Sequence, residues 1–292
     1  MKDLLSKSGT VLTISFVSLL ALGNGIAHAK SIADEVKARG VIRIGSSYDA
    51  PPMGYVNDQG KWTGFDVDLG NALAKHLGVK VKRVKVNDTT RIAFLATGRV
   101  DVTLAHMSHT RSRDEQVDFA QPAYLWTCKI FYARKGRFHS LKQLGGKRIG
   151  VVQGSNAYTA APKELAKFSG KKPKMMSFQK NADVFAALRD GRIDAYTQDT
   201  PIIAAVAGHA GVDFAPVGKC YSPGLYGIGV PPNDSKWRDE VSFALQDMLR
   251  DGTYNRIYAK WFGKHGKFPL AVNAKPRLPM SAFGRMAFIW PN

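Results

Sequence analysis

Apolar and polar positions change period along this chain in a regular way, and the changes predict alternating strands and helices. Residues 41–45, Val-Ile-Arg-Ile-Gly, read as a strand entering a loop rich in proline and glycine. Val67, Leu69, Leu73 and Leu77 then follow in a helical pattern, with Asp66 as the expected N-cap and Gly78 as the expected stop. Residues 79–86 alternate as a half-exposed strand does, residues 90–97 read as a helix, and residues 100–105 as the next strand. An apolar, β-rich run at 125–133 ends at Arg134-Lys135-Gly136 and reads as a crossing between two halves. The same order then returns: a strand at 148–152, a turn at Gln153-Gly154-Ser155-Asn156, and a helix over 157–168 with Pro162 as an expected interruption. A strand at 174–179, a helix at 183–189 and a strand at 193–198 complete that half. A short strand at 214–217 and a return through 225–230 lead to two amphipathic helices. Their buried faces should carry Trp237, Val241, Leu245 and Met248, then Tyr254, Ile257, Tyr258 and Trp261.

The chain also repeats itself. Residues 95–102 read Leu-Ala-Thr-Gly-Arg-Val-Asp-Val, and residues 188–195 read Leu-Arg-Asp-Gly-Arg-Ile-Asp-Ala. Upstream of each copy stands a second echo, Arg43-Ile44-Gly45 and Arg148-Ile149-Gly150. Two echoes in one order predict an α/β fold of two similar lobes joined by hinge strands and facing each other across a cleft. Lobe one should take residues 30–124 plus 225–263, lobe two residues 125–224 with the hinge crossings, and 264–292 a proline-marked tail. Polar loops would lie at the carboxyl ends of parallel strands, where open α/β sheets bind ligands. One loop, residues 105–113, offers a cation and hydroxyls; the other, Gln198-Asp199-Thr200, offers an anion. A zwitterion would fit between them.

Composition narrows the setting. Lys2 and Lys7, an apolar stretch over 11–22 and Ala27-His28-Ala29 make residues 1–29 a secretory signal peptide, too short and too broken by hydroxyls for an anchor. The formal charge is +19, but the lysine-rich segments lack the interleaved aromatics of a single-strand groove. The charge therefore reads as solvated surface, and nucleic acid is not an expected partner. Cys128 and Cys220 are the only cysteines; a disulfide across the hinge and two buried thiols are equally compatible with the sequence. No metal-ligand spacing, phosphate loop or nucleophile elbow occurs, so neither a metal nor a cofactor is expected.

With these residues laid out, the chain resembles the periplasmic amino-acid-binding proteins of ABC transporters, the bacterial extracellular solute-binding proteins of family 3. The resemblance spans residues 32–263. It rests on Gly64-Phe65-Asp66-Val67-Asp68, Arg91-Ile92 before Gly98-Arg99-Val100-Asp101, and Thr110 to Arg113 followed by Gln116-Val117-Asp118-Phe119. It also rests on Gly150-Val151-Val152-Gln153-Gly154-Ser155 and on Gly191-Arg192-Ile193-Asp194 leading to Gln198-Asp199.

The resemblance implies a type II periplasmic-binding-protein architecture: a monomer that closes on an L-amino acid and presents it to a membrane permease. It implies that Arg113 grips the ligand α-carboxylate and Asp199 the α-ammonium, with Ser108 and Thr110 as polar contacts. Ser155 and Asn156 fall where a helix N-terminus offers amides to an anion. Arg91 matches an arginine that reaches the side chain in the glutamate/aspartate-binding branch, which leans the ligand toward the acidic or polar class. His106 stands at a site position where a small hydroxyl residue is common. Ala50 replaces an aromatic that covers the ligand in the family, and Ser47 and Asn181 replace basic residues of the acidic branch. These departures put the side-chain preference in doubt.

Residue type alone allows plainer roles. Arg113, followed by Asp114 and Glu115, fits a surface ion pair; Asp199 fits a cap for the helix after it. Ser108 and Thr110 fit turn caps, and Arg91 a helix-surface cation. Two rival functions share the expected fold. One is a cyclohexadienyl dehydratase-like enzyme using Glu115, Asp199 or His106 as its acid; the other is a ligand-sensing module.

Overall fold

The repeated motif has a physical cause. The computed structural model describes residues 30–210, 213–270 and 275, and the described residues from Ser31 onward form one unit. The expected signal peptide and most of the expected tail lie outside the described residues. In the first half, Asp101 precedes the strand Val102–Leu104, and its carboxylate accepts from the Arg43 amide and guanidinium, each at 2.6 Å. In the second half, Asp194 precedes the strand Ala195–Asp199 and accepts from the Arg148 amide at 2.9 Å and its Nε at 3.0 Å. Each aspartate thereby ties the third strand of its unit to the first. The glycine three residues earlier, Gly98 (φ +65) or Gly191 (φ +72), takes the left-handed conformation that ends the preceding helix.

These units build two five-stranded sheets. One orders Lys80–Val86, Val41–Ser47, Val102–Leu104, Gly229–Val230 and Asp118–Phe119; its first three strands are parallel. The other orders Lys174–Phe178, Arg148–Val152, Ala195–Asp199, Leu125–Arg134 and Phe214–Tyr226, and again its first three are parallel. The long strands Leu125–Arg134 and Phe214–Tyr226 run antiparallel to each other, and their pairing of Leu125 with Tyr226 lies at the crossing between sheets.

Helices Ser235–Arg250 and Thr253–Phe262 return to the first sheet. They bury Trp237, Val241, Leu245, Met248, Tyr254, Tyr258 and Trp261 in one core with Phe65 and Ile44. Full burial of such a side chain stabilises by roughly 1.5–3 kcal/mol, so these helices fasten the first lobe. Two smaller cores cover the second sheet, one around Phe131 and Leu165, the other around Val184 and Tyr196.

Three local expectations change. The helix Phe65–His76 is capped by Gly64 (φ +138), where a Cβ would strike the Met53 carbonyl; Asp66 lies in its first turn and serves another partner. Pro162 does not end the helix Ala157–Ala166. The two segments expected at 214–217 and 225–230 are one edge strand, Phe214–Tyr226, with register shifts around Tyr221, followed by the short strand Gly229–Val230. Pro216 and Pro223 look like breaks in sequence, but an edge strand tolerates proline because one side of it carries no ladder.

Candidate functional site

All eight expected site residues lie at or beyond the carboxyl ends of parallel strands or on the helices that follow. After Val102–Leu104 the chain turns sharply at His106 (φ 41), whose amide donates to Asp66 Oδ2 at 2.7 Å. Gly227 N donates to Met107 O at 3.0 Å, and Ser108 bridges to Tyr226, so this loop is pinned to the crossing strand. Thr110 then stands at the N-cap position of the short helix Arg111–Asp114, without a capping hydrogen bond from its side chain, and that helix carries Arg113. The Arg113 guanidinium is 6% exposed and donates to Ser108 O at 2.7 Å and to Gly154 O at 3.3 Å. Both acceptors are neutral carbonyls. Burial, then the nearby Arg91 charge, bring its pKa down to about 10.

Gly154 belongs to the second sheet's loop, so that contact crosses the cleft. A Cβ on Gly154 (φ +80) would lie 2.6 Å from the Asp88 carbonyl oxygen of the first lobe. The lobes therefore meet backbone to backbone here, and the cleft is closed. Ser155 and Asn156 follow at the N-terminus of the helix Ala157–Ala166, and the buried Ser155 Oγ has no hydrogen-bond partner. Thr110, Arg113, Ser155 and Asn156 line a groove of about 1200 Å³, which opens the cleft toward Ile92, Tyr158 and Tyr221.

In the second lobe Asp199 is 3% exposed and directly precedes the helix Thr200–Ala210. Its Oδ1 accepts from Lys129 Nζ at 2.9 Å and its Oδ2 from the Tyr226 hydroxyl at 2.7 Å. Burial and the Asp199 charge push the Tyr226 hydroxyl well up, so it stays a donor. Lys129 is 1% exposed and was not among the expected residues. The available signal was a lysine inside the apolar run 125–133, because lysine is almost never fully buried unless paired.

A third cluster engages two more expected residues. Arg91 Nη1 lies 2.6 Å from Asp88 Oδ1 and donates to Ala105 O at 2.6 Å; it is no surface cation. His106 lies between Asp88 Oδ1 at 3.1 Å and Ser47 Oγ at 3.2 Å. Burial alone would raise the Asp88 carboxyl, but Arg91 and His106 outweigh it and hold it well below the usual carboxylate range. Asp66 is the opposite case, pushed up to about 6 by burial against the pull of His106. The Ser108 side chain is buried, while its carbonyl holds Arg113. Among the described residues no cluster of three or more His, Cys, Asp or Glu could hold a metal ion.

Residues 42–264 match the model of the bacterial extracellular solute-binding proteins, family 3. The chain belongs to this family. The solute-binding protein is 28% identical over 264 residues to the histidine-binding periplasmic protein of Escherichia coli (strain K12), covering 86% of this chain and 96% of that one. Among solved structures it resembles an ancestral arginine-binding protein bound to glutamine, at 35% identity and TM-score 0.71 over 77% of this chain and 99% of that chain. It also resembles an ancestral amino-acid-binding protein that is a precursor of cyclohexadienyl dehydratase. There the identity is 30% and the TM-score 0.70, over 80% of this chain and 99% of that chain.

What the solute-binding protein's cleft can do follows from its charges. Arg91 and Asp88 neutralise each other, as do Lys129 and Asp199. The hydrogen bonds of Arg113 go to carbonyls, and an unpartnered hydroxyl stands nearby at a helix N-terminus. A buried guanidinium so placed favours a carboxylate, whose geometry its planar fork matches.

Proposed function

We propose that this protein is the periplasmic solute-binding component of an ABC importer. It closes on a small carboxylate-bearing solute of the amino-acid class and presents it to a membrane permease. The observation that carries this reading is Arg113, a buried cation that bridges the two lobes through neutral acceptors. Family membership and relatives that bind histidine, glutamine or arginine support the same class of solute. Ser155 and Asn156 complete the carboxylate pocket, and Thr110 borders it. The lean toward an acidic side chain draws on Arg91 and on the net charge; with Arg91 held by Asp88, only the diffuse surface charge is left, and the proposal carries no such preference.

The protein acts as a carrier and not as an enzyme. Of the acids an enzyme would need, Glu115 is exposed, Asp199 is held by Lys129 and Tyr226, and His106 faces Asp88. Incubation with prephenate should yield no phenylpyruvate absorbance, and turnover would overturn the carrier reading.

A thermal-shift screen of amino acids and related carboxylates should find a stabilising ligand. At a hundred times its dissociation constant the stabilisation is about 2.7 kcal/mol. Arg113→Ala should weaken that ligand at least a hundredfold by calorimetry, the loss expected for roughly two charge-assisted hydrogen bonds. Unchanged affinity would remove Arg113 from the site.

A further inference from the structure

The buried carboxylate at the carboxyl end of the strand Ala195–Asp199 already has an ammonium. Lys129 and Asp199 are cross-strand partners in the antiparallel pair of Leu125–Arg134 with Ala195–Asp199, so their side chains emerge side by side on one face of the sheet. Both are essentially fully buried, their charged atoms are 2.9 Å apart, and the second Asp199 oxygen is taken by the Tyr226 hydroxyl. Tyr226, whose hydroxyl is bound to Asp199, also pairs with Ser108, and the Ser108 carbonyl holds Arg113, so the pair and the guanidinium are linked through one strand and one loop.

We propose that Lys129 takes the place of a ligand ammonium, so that the site binds a carboxylate bearing an oxo or hydroxyl oxygen, and not an ammonium, on the adjacent carbon. The inference rests on the solute-binding reading above and departs from it at one point, the group on the carbon beside the carboxylate. A second ammonium at Asp199 would have to share one buried carboxylate with Lys129, and two like charges at that distance disfavour each other strongly where water is excluded. An oxygen in the same place meets no such repulsion. Lys129 has three donors and gives one to Asp199, so it can donate another to the ligand oxygen. Arg113 meanwhile grips the carboxylate on the other side of the gap. The pair makes the second lobe a neutral wall with a donor facing inward.

The test compares matched pairs differing only at that carbon: L-glutamate with 2-oxoglutarate, L-phenylalanine with phenylpyruvate, and L-leucine with 4-methyl-2-oxopentanoate. The protein is first unfolded and refolded to strip any carried ligand, then titrated by calorimetry and thermal shift. For the best-fitting side chain the oxo acid should bind at least tenfold more tightly than its amino acid. Lys129→Met, which leaves Asp199 without its cation, should invert that ratio by accepting the ligand ammonium. An amino acid that binds the unaltered protein more tightly than its oxo partner overturns the inference and leaves the solute-binding reading standing. Retention of the oxo-acid preference in Lys129→Met also overturns it. Binding of neither series would remove both readings, and the comparison within the unaltered protein decides even where the variant fails to fold.

Discussion

Asp66 shows how one buried carboxyl serves two ends. It lies in the first turn of the helix Phe65–His76, where a negative charge is favoured, and its Oδ2 accepts the amide of His106 at the strained turn into the cleft. Burial nevertheless pushes its pKa up to about 6. From the unfolded value of about 4 up to about 6, the native state holds more protons than the unfolded state. Stability from this group therefore falls as pH rises through that window and levels off above it. Its neighbour Asp88 acts in the opposite sense. Held low by Arg91 and His106, it stabilises fully above its unfolded value and loses that contribution only well into acid. Asp66→Asn keeps an acceptor for the His106 amide and removes the titration. Urea midpoints measured between about pH 4 and pH 7 should then lose the downward component that the unaltered protein shows, worth up to ~3 kcal/mol for a shift of about two units. An unaltered profile would mean that Asp66 titrates near its ordinary value.

Leu125–Arg134 and Phe214–Tyr226 are tied by a Cys128–Cys220 disulfide with its Cα atoms 5.8 Å apart and its cysteines 92 positions apart in sequence. Both strands belong to the second sheet, so the bond joins neighbours in that sheet and does not bridge the lobes. It should stabilise without gating the cleft. Replacing both cysteines by serine is expected to lower stability by about 2–4 kcal/mol, with solute affinity changed by less than about threefold. Lost binding at unchanged stability would reverse that assignment.

These same strands show what the sequence could and could not reveal. The Gly98–Asp101 and Gly191–Asp194 echoes were legible because each solves one local problem, ending a helix and tying the next strand to the first. The two cysteines stood alone in the chain, yet only coordinates brought their Cα atoms within bridging range. The pairing of Lys129 with Asp199 joins positions 70 apart, and nothing in the residue pattern states which carboxylate a buried lysine will find. Arg91 stands four residues before Leu95 on the buried face of its helix, but only the fold shows that the carbonyls of Ala105 and His106 accept its guanidinium.

At the scale of the whole molecule, the proposed function makes binding and closure one equilibrium, as in hinge-bending binding proteins. The closed state here depends on a loop backbone of the second lobe fitting against the first at Gly154. Any side chain there would strike the Asp88 backbone, and the left-handed φ of +80 also selects for glycine. Closing also brings Gly154 O to Arg113, which orients the guanidinium from the opposite lobe. Gly154→Val should therefore hold the lobes apart while leaving both sheets intact. Affinity scales with the fraction of molecules able to close, so a tenfold fall in that fraction weakens apparent affinity about tenfold. Small-angle scattering supplies the check: with saturating solute the unaltered protein should contract, whereas the variant should keep the dimensions of its solute-free state. Full contraction of Gly154→Val at undiminished affinity would show that the contact between Gly154 and Asp88 does not govern closure.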